Sequence, residues 1–177
     1  MEVFTIGHST HSLEEFTAML RSFEIEVLAD VRSFPGSRHM PHFNRETLAP
    51  YIQSLGMEYI HMPEIGGRRR EIPGIDPSLI GGWRHIAFRS YAAYTLTEEF
   101  ARGLDALMAV SRRAKTCIMC AESVPWRCHR QIIADNLSFR GFTVKHIMDE
   151  DKTIPHTPGR FGAAAKWDGE RVIYPEI

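Results

Sequence analysis

The feature that most constrains the fold is a series of five short apolar runs, each five or six residues long. Longer segments with helical apolar spacing separate the runs, which are bounded by glycine, proline and polar residues. Runs of this kind predict buried strands. They cover residues 3–7, 26–31, 57–62, 116–121 and 143–148. Strands that alternate with helices predict right-handed βαβ units and a mostly parallel sheet.

The intervening segments carry helix signals. Ser12 and Glu15 form a capping box, and Asn44 and Thr97 precede further segments with helical apolar spacing. A last helix is predicted over residues 128–140. Together these patterns predict an α/β chain with a mostly parallel five-stranded sheet in a three-layer Rossmann-like sandwich, with strand order 3-2-1-4-5.

Residues 63–96 break this regularity with repeated proline and glycine, so we expect an irregular insertion with one helix between Trp83 and Tyr94. We expect a single domain over residues 1–177, with its motif-bearing core in 1–150. In the tail, 151–177, the sequence from Trp167 to Glu170 predicts a turn between two short extended pieces, which we place as an edge hairpin.

Composition narrows the class of protein. The three cysteines lack the spacing of a disulfide framework, which favours a reducing compartment and hence the cytoplasm. We expect no signal peptide and no membrane partner, because no apolar run approaches the ~20 residues that span a bilayer. The net charge is −1, but residues 31–45 hold arginines and histidines without an acid. Such a local positive field suits an anionic ligand.

Polar residues follow four of the five predicted strands. Because the carboxyl ends of parallel strands meet at one edge of a sheet, these residues are expected to share a ligand-binding rim. They are His8 and Ser9 after the first strand, Asp30 and Arg32 after the second, Gly66, Gly67 and Arg68 after the third, and Cys120 and Glu122 after the fourth.

The segment from Cys120 to Arg130 carries the strongest chemical signal. Cys128 is predicted in the first turn of a helix beside His129 and Arg130, where the helix N-terminus and the cations favour a thiolate. Glu122 is a candidate general acid or base. Cys117 and Cys120 are predicted on opposite faces of one strand, which argues against their sharing a zinc ion.

These motifs resemble those of the bacterial and archaeal family known as domain of unknown function 488. The resemblance rests on Thr5-Ile6-Gly7-His8-Ser9, on the run from Asp30 to Pro35 with Ser37-Arg38, on Gly66-Gly67-Arg68, and on Cys120-Ala121-Glu122 with Cys128-His129-Arg130. It covers roughly residues 1–150. The resemblance implies membership and marks the same rim residues, but it implies no activity and no cofactor.

Our first hypothesis is an enzyme, such as a hydrolase, that acts on or binds a nucleotide, nucleic acid or other phosphate-bearing ligand. Guanidinium groups match phosphate geometry, and glycines let backbone N–H groups approach an anion. The anion-binding candidates are Ser9, Arg32, Arg38, Gly66, Gly67, Arg68 and Arg130. The candidates for catalysis are Glu122, Cys128, His129, Asp30, His8 and Cys120.

Three alternatives stay open. One is a thiol-redox or sulfur-transfer enzyme that uses Cys128 and Cys120, although the spacing from Cys120 to Arg127 differs from that of a cysteine-phosphatase loop. The second is a metal-binding protein, in which Cys120, Cys128 or His129 would be joined by Glu122 or His8. The third is a non-catalytic nucleic-acid-binding module, against which the near-neutral charge argues. A homodimer is a further candidate assembly.

Overall fold

All five predicted strands form and belong to one sheet. The computed structural model describes residues 1–176. Its main sheet contains β1 (Glu2–Gly7), β2 (Val27–Asp30), β3 (Glu58–His61), β4 (Thr116–Cys120), β5 (Thr143–Asp149) and β6 (Lys152–Pro155). The first five strands are parallel, and β6 is antiparallel to β5. The sixth strand extends the predicted five-stranded sheet because the tail turns back along β5.

The predicted strand order was wrong. The observed order is β3-β2-β4-β1-β5-β6, so β4 lies between β2 and β1. All five residues of β4 are buried, as a central strand requires, whereas β3 at the edge is only partly buried. The register pairs Gly7 with Cys120, and Asp30 with Met119. The end of β4 therefore lies between the ends of β1 and β2.

Helices cover both faces of this sheet and make the three-layer sandwich. They are α1 (Leu13–Ser22), α2 (Arg45–Ser54), α3 (Ile86–Tyr94), α4 (Glu98–Arg113) and α5 (Arg130–Phe139). The apolar sides of α1 and α2 pack on one face, represented by Phe16 and Leu48, and those of α3, α4 and α5 pack on the other. Cys117 and Cys120 point to opposite faces, as predicted.

The helix starts confirm two of the predicted caps. The Ser12 hydroxyl accepts from the Glu15 backbone N–H at 3.1 Å, and Thr97 caps α4 in the same way. Asn44 precedes α2, but its side chain accepts from the Ser37 N–H instead. The last helix starts at Arg130, not at 128, because residues 125–127 form a separate 3₁₀ turn and the next residue is extended.

The insertion contains the one α-helix that was predicted between Trp83 and Tyr94, observed as α3. The Tyr91 hydroxyl of this helix donates to the Ile65 carbonyl at 2.6 Å. In the tail, β7 (Lys166–Trp167) and β8 (Val172–Ile173) form the predicted turn-linked pair. That pair is a separate two-stranded sheet, since β6 occupies the edge of the main one. Among residues 1–176, no helix is both long and apolar enough to cross a membrane.

Candidate functional site

A cavity of about 600 Å³ opens at the carboxyl ends of the parallel strands. It is lined by eight of the residues singled out in the sequence: His8, Arg32, Gly67, Arg68, Cys120, Glu122, Cys128 and His129. Five others lie outside the lining: Ser9, Asp30, Arg38, Gly66 and Arg130. The cavity is the place where ligand binding is expected in a parallel α/β sheet.

Cys128 lies at the floor of this cavity, just before α5. Its Sγ atom accepts from both the backbone N–H and the Nε–H of Arg130, each at 3.4 Å. Burial by itself raises the pKa of Cys128, but the adjacent Cys120 thiol and the positive charges of His129 and Arg130 outweigh this effect. The pKa of Cys128 is therefore held well below its ordinary value.

Cys120 behaves in the opposite way. The adjacent Cys128 sulfur and burial both raise the pKa of Cys120 well above the ordinary value. The two sulfurs thus divide into a thiolate and a thiol. When the environments of two titratable groups push their pKa values apart in this way, the groups take different chemical roles.

The ring of His129 lies against both sulfurs. Its Nε2 atom is 3.0 Å from the carbonyl oxygen of Val31, which can only accept, so Nε2 carries a proton. Nδ1 then faces Cys128 Sγ at 3.7 Å and Cys120 Sγ at 3.8 Å. From this position His129 can take a proton from either thiol or pair with a thiolate.

Arg130 lies beneath the cavity and is 0% exposed. Besides Cys128, its guanidinium donates to the Thr5 hydroxyl at 3.1 Å and to the Glu122 carbonyl at 2.7 Å. Within residues 1–176 it forms no ion pair with a carboxylate. A buried cation without a paired anion is costly. The nearest group able to supply a negative charge is the Cys128 sulfur.

Asp30 and Arg32 form a buried ion pair with each other. The Asp30 carboxylate accepts from Nε of Arg32 at 2.9 Å and from its Nη2 at 2.8 Å, and it also accepts from the Tyr59 hydroxyl. Burial and this carboxylate both raise the pKa of Tyr59. Asp30 is therefore held in a structural ion pair. Arg32 is 7% exposed and lines the cavity, and its Nη1 makes no hydrogen bond within the described chain.

His8 and Glu122 frame the other side of the cavity. Burial, the largest influence, lowers the pKa of His8 to about 4, and its ring stacks on Phe43 at 4.3 Å. His8 is thus neutral at pH 7. Glu122 is exposed, and its backbone is held close to β1, since a Cβ atom on Gly7 would lie 1.7 Å from the Glu122 carbonyl oxygen. Its carboxylate is free to reach the cavity mouth.

The remaining predicted anion binders are placed less favourably. The Gly66 N–H already donates to the Pro63 carbonyl at 3.0 Å, so it is not free for an anion. Arg38 is exposed on the loop outside the lining. Ser9 has a positive φ of 47° and donates its N–H to Ala121, so it joins the ends of β1 and β4.

Sequence reasoning missed several residues that line the cavity. Trp126 and Arg127 lie inside the segment already singled out, so their position was a signal that could have found them. His85, Phe88 and Tyr91 come from α3 and its cap, and no local motif marks them. The lining also includes four residues that stand inside the family motifs but were not site candidates, Ser33, Phe34, Ser37 and Ala121, and two that no motif contains, Gly36 and Ala87. The insertion thus supplies one wall of the site.

Cys120, Cys128 and His129 are also the group best placed to share a metal ion, since their donor atoms lie within 4.8 Å of one another. The fully buried Arg130 guanidinium lies 3.4 Å from one of these donors, and its charge would repel a divalent cation. Neither His8 nor Glu122 joins this cluster. The donor set therefore fits a thiolate paired with protein cations better than it fits a resident metal.

Comparisons with known proteins identify the family only. No curated protein and no solved structure matches the chain. A family model described as "Domain of unknown function DUF488" matches residues 12–137. The match contains the motifs that follow β2, β3 and β4, together with the segment from Cys120 to Arg130, and it begins after His8. The chain therefore belongs to the DUF488 family.

Proposed function

We propose that the protein is a thiol-dependent oxidoreductase in which Cys128 is the reacting thiolate and Cys120 is the second, resolving thiol. The observation that carries this proposal is the fully buried Arg130 guanidinium, which contacts Cys128 Sγ and forms no ion pair with a carboxylate of residues 1–176. A positive charge in this position stabilises a thiolate, the nucleophilic form of cysteine.

The two sulfurs support a balanced reaction with a disulfide substrate. The Cys128 thiolate attacks one sulfur of the substrate, the substrate S–S bond breaks, and the first leaving thiolate takes the proton from Nδ1 of His129. The now neutral His129 accepts the Cys120 proton, and the Cys120 thiolate attacks Cys128 Sγ, which releases the second substrate thiolate. The substrate gains two electrons and the protein forms a Cys120–Cys128 disulfide. A thiol reductant returns the protein to its dithiol form.

The test uses a small aromatic disulfide whose released thiol absorbs light. The wild-type protein is expected to release two thiols per chain and to form an internal disulfide, because Cys120 completes the reaction. Cys120→Ala is expected to release one thiol and to keep a mixed disulfide on Cys128. Cys128→Ala is expected to react slowly, because the raised pKa of Cys120 leaves little thiolate.

Cys117→Ala is the matched control, since Cys117 is buried on the opposite face of β4 and is expected to leave both steps unchanged. Peptide mass spectrometry would locate each adduct. Release of thiol by Cys128→Ala at the wild-type rate would overturn the assignment. A stoichiometric zinc content in protein purified without chelator would do the same.

A second candidate function is binding of a phosphate-bearing ligand, such as a nucleotide, in the same cavity. The supporting observation is the charge of the lining, in which Arg32, Arg68 and Arg127 outnumber the single acid, Glu122. The free Nη1 of Arg32 adds a directed donor. Arginine donors match phosphate oxygens in geometry and charge.

Calorimetric titration with pyrophosphate tests this candidate. Arg68→Ala and Arg127→Ala are each expected to weaken binding by roughly tenfold or more, because a hydrogen bond to a charged group is worth about 1.5–3 kcal/mol. Arg102→Ala on the exposed side of α4 is the control and is expected to have no effect. Absence of binding to the wild-type protein, or equal losses in all three variants, would remove the candidate.

A further inference from the structure

A chain of buried polar side chains continues from Arg130 away from the cavity, and the proposed reaction does not use it. The Thr5 hydroxyl lies 2.6 Å from Nδ1 of His146, whose Nε2 lies 2.9 Å from Nδ1 of His156. Nε2 of His156 lies 2.7 Å from the Asp135 carboxylate. None of these four side chains lines the cavity. We call them the relay.

Every hydrogen bond in the relay points the same way. The Asp135 carboxylate can only accept, so the proton of a neutral His156 ring lies on Nε2, and its Nδ1 accepts from His146 Nε2. Nδ1 of His146 then accepts the Thr5 hydroxyl proton, while Thr5 Oγ1 accepts from Arg130. Burial lowers the pKa of His146 to about 3, which keeps that ring neutral.

The relay connects two buried groups of opposite charge. Arg130 is the cation, and it donates to Thr5 at the start of the relay. Asp135 is the acceptor at the other end, where it also takes the Tyr174 hydroxyl at 2.6 Å and the Gly159 N–H at 3.1 Å. Hydrogen bonds aligned between a buried cation and a buried anion polarise one another and strengthen the whole array. The arrangement therefore favours one orientation of the Arg130 guanidinium.

That orientation matters for the sulfur. Nη1 of Arg130 is held by Thr5 and Nη2 by the Glu122 carbonyl, so Nε is left to point at Cys128. Without the Thr5 acceptor, the guanidinium would lose one of the anchors that aim Nε. The side of Arg130 facing away from the cavity thus determines the contact on the cavity side.

We propose that the four relay residues are positioning residues that hold the Arg130 guanidinium against Cys128 and so keep Cys128 a thiolate. They are Thr5, His146, His156 and Asp135. The inference rests on the proposed function, since it concerns the same sulfur. The proposal also gives the tail a part in the site. His156 follows β6, and Tyr174, whose hydroxyl donates to Asp135, follows β8.

Ionisable groups approach Cys128 from four elements of the fold. Cys120 faces it from β4, His129 and Arg130 from the start of α5, and Tyr91 from α3. His146 approaches from β5, with Arg160 and His156 as its charged or titratable neighbours in the tail. The substitutions below leave the Cys128 neighbours on β4, α3 and α5 in place, so a shift reports on the relay.

The experiment measures the rate of Cys128 carbamidomethylation between pH 4 and 9 by peptide mass spectrometry. Thr5→Val keeps the shape of the side chain but removes the hydroxyl. It is expected to raise the midpoint of the pH profile by about one unit, which means roughly tenfold less thiolate below the midpoint. Thr5→Ser keeps the hydroxyl and is expected to stay within a few tenths of the wild-type midpoint.

His146→Phe is the second variant, for use if Thr5→Val does not fold; it removes the acceptor of the Thr5 proton without a change of charge and is expected to raise the midpoint as well. A folded Thr5→Val or His146→Phe protein with lowered thermal stability but a wild-type midpoint would show that the relay is only structural. An ordinary thiol midpoint in the wild-type protein would instead overturn the proposed function. The two failures are therefore distinguishable.

Discussion

At the scale of single residues, Gly67 shows how closely the site is packed. A Cβ atom at this position would lie 2.8 Å from Nδ1 of His129, the atom that faces both sulfurs. The Tyr91 ring packs edge-on against the same imidazole at 4.9 Å. The imidazole is therefore held between Gly67 and the Tyr91 ring. The glycine is needed for this close approach, rather than for an unusual backbone conformation.

Gly67→Ala is expected to push the His129 ring away from the sulfurs and to slow carbamidomethylation of Cys128 below the midpoint of its pH profile. A rise of about one unit in the pKa of Cys128 means roughly tenfold less thiolate, and hence a roughly tenfold lower rate, at those pH values. Gly36→Ala is the control, because Gly36 also lines the cavity but a Cβ there meets nothing within 4 Å. Equal rates in the two variants would contradict the role assigned to His129.

The Asp30–Arg32 pair illustrates a residue-scale effect on stability. Asp30 is fully buried and receives two hydrogen bonds from the Arg32 side chain. Asp30→Asn would leave that guanidinium buried without its anion, at a cost of about 3–5 kcal/mol in the free energy of unfolding. Glu58→Gln, in an exposed pair with Arg113, is expected to cost less than about 1 kcal/mol. Urea denaturation of both variants would show whether burial makes this difference.

At the scale of elements, the start of α5 departs most clearly from the sequence pattern. The apolar spacing is compatible with a helix from residue 128, but Cys128 is extended and its N–H donates to the Pro125 carbonyl at 3.1 Å. The thiolate still receives a helix N-terminal amide, since the Arg130 N–H points at its Sγ. The helix N-terminus therefore still stabilises a Cys128 thiolate, as predicted, although the helix starts two residues later.

Helix α4 offers a test of a local signal that the structure bears out. The Thr97 hydroxyl accepts from the Phe100 N–H at 3.3 Å at the start of this 16-residue helix. Thr97→Ala is expected to lower the free energy of unfolding by about 1 kcal/mol, because the N–H loses its partner. Thr97→Ser is expected to keep most of that stability. A thermal denaturation series in which both variants match the wild type would show that the cap contributes nothing.

At the scale of the whole molecule, two histidines buried at distant places make folding sensitive to acid. Burial lowers the pKa of His8 to about 4 and that of His146 to about 3, against 6.5 for an ordinary histidine. The unfolded chain therefore binds more protons between these values than the folded protein does. The stability that these two neutral rings contribute is complete above about pH 6.5 and falls as the pH drops toward 4 and 3.

Between pH 7.5 and 5.5 the free energy of unfolding is expected to fall by about 1 kcal/mol for each of these histidines. His8→Gln should remove about half of that dependence, which chemical denaturation at a series of pH values can measure. Stability that is unchanged or higher at pH 5.5 would show that the two rings are not held neutral in the folded protein.

The elements and the rim could be predicted from the sequence because their signals are local. Apolar runs, caps such as Ser12, and the polar residues after each strand depend on neighbours along the chain. One cavity is lined by residues that follow four different strands, which agrees with the predicted convergence of strand ends: His8, Arg32, Gly67, Cys120 and Glu122. The ion pair between Asp30 and Arg32 and the complete burial of Arg130 could not be predicted, because tertiary packing decides which groups these side chains contact.

The chain's own sequence determined which segments form the five parallel strands and the five helices, and which polar residues lie at the carboxyl ends of those strands, since both follow from short-range spacing. Only the tertiary structure decided that β4 lies between β1 and β2, because all five parallel strands are apolar enough to pair with several neighbours. It alone also connected Arg130 to Asp135 through Thr5, His146 and His156. Those contacts join residues from distant parts of the chain, so no local pattern encodes them.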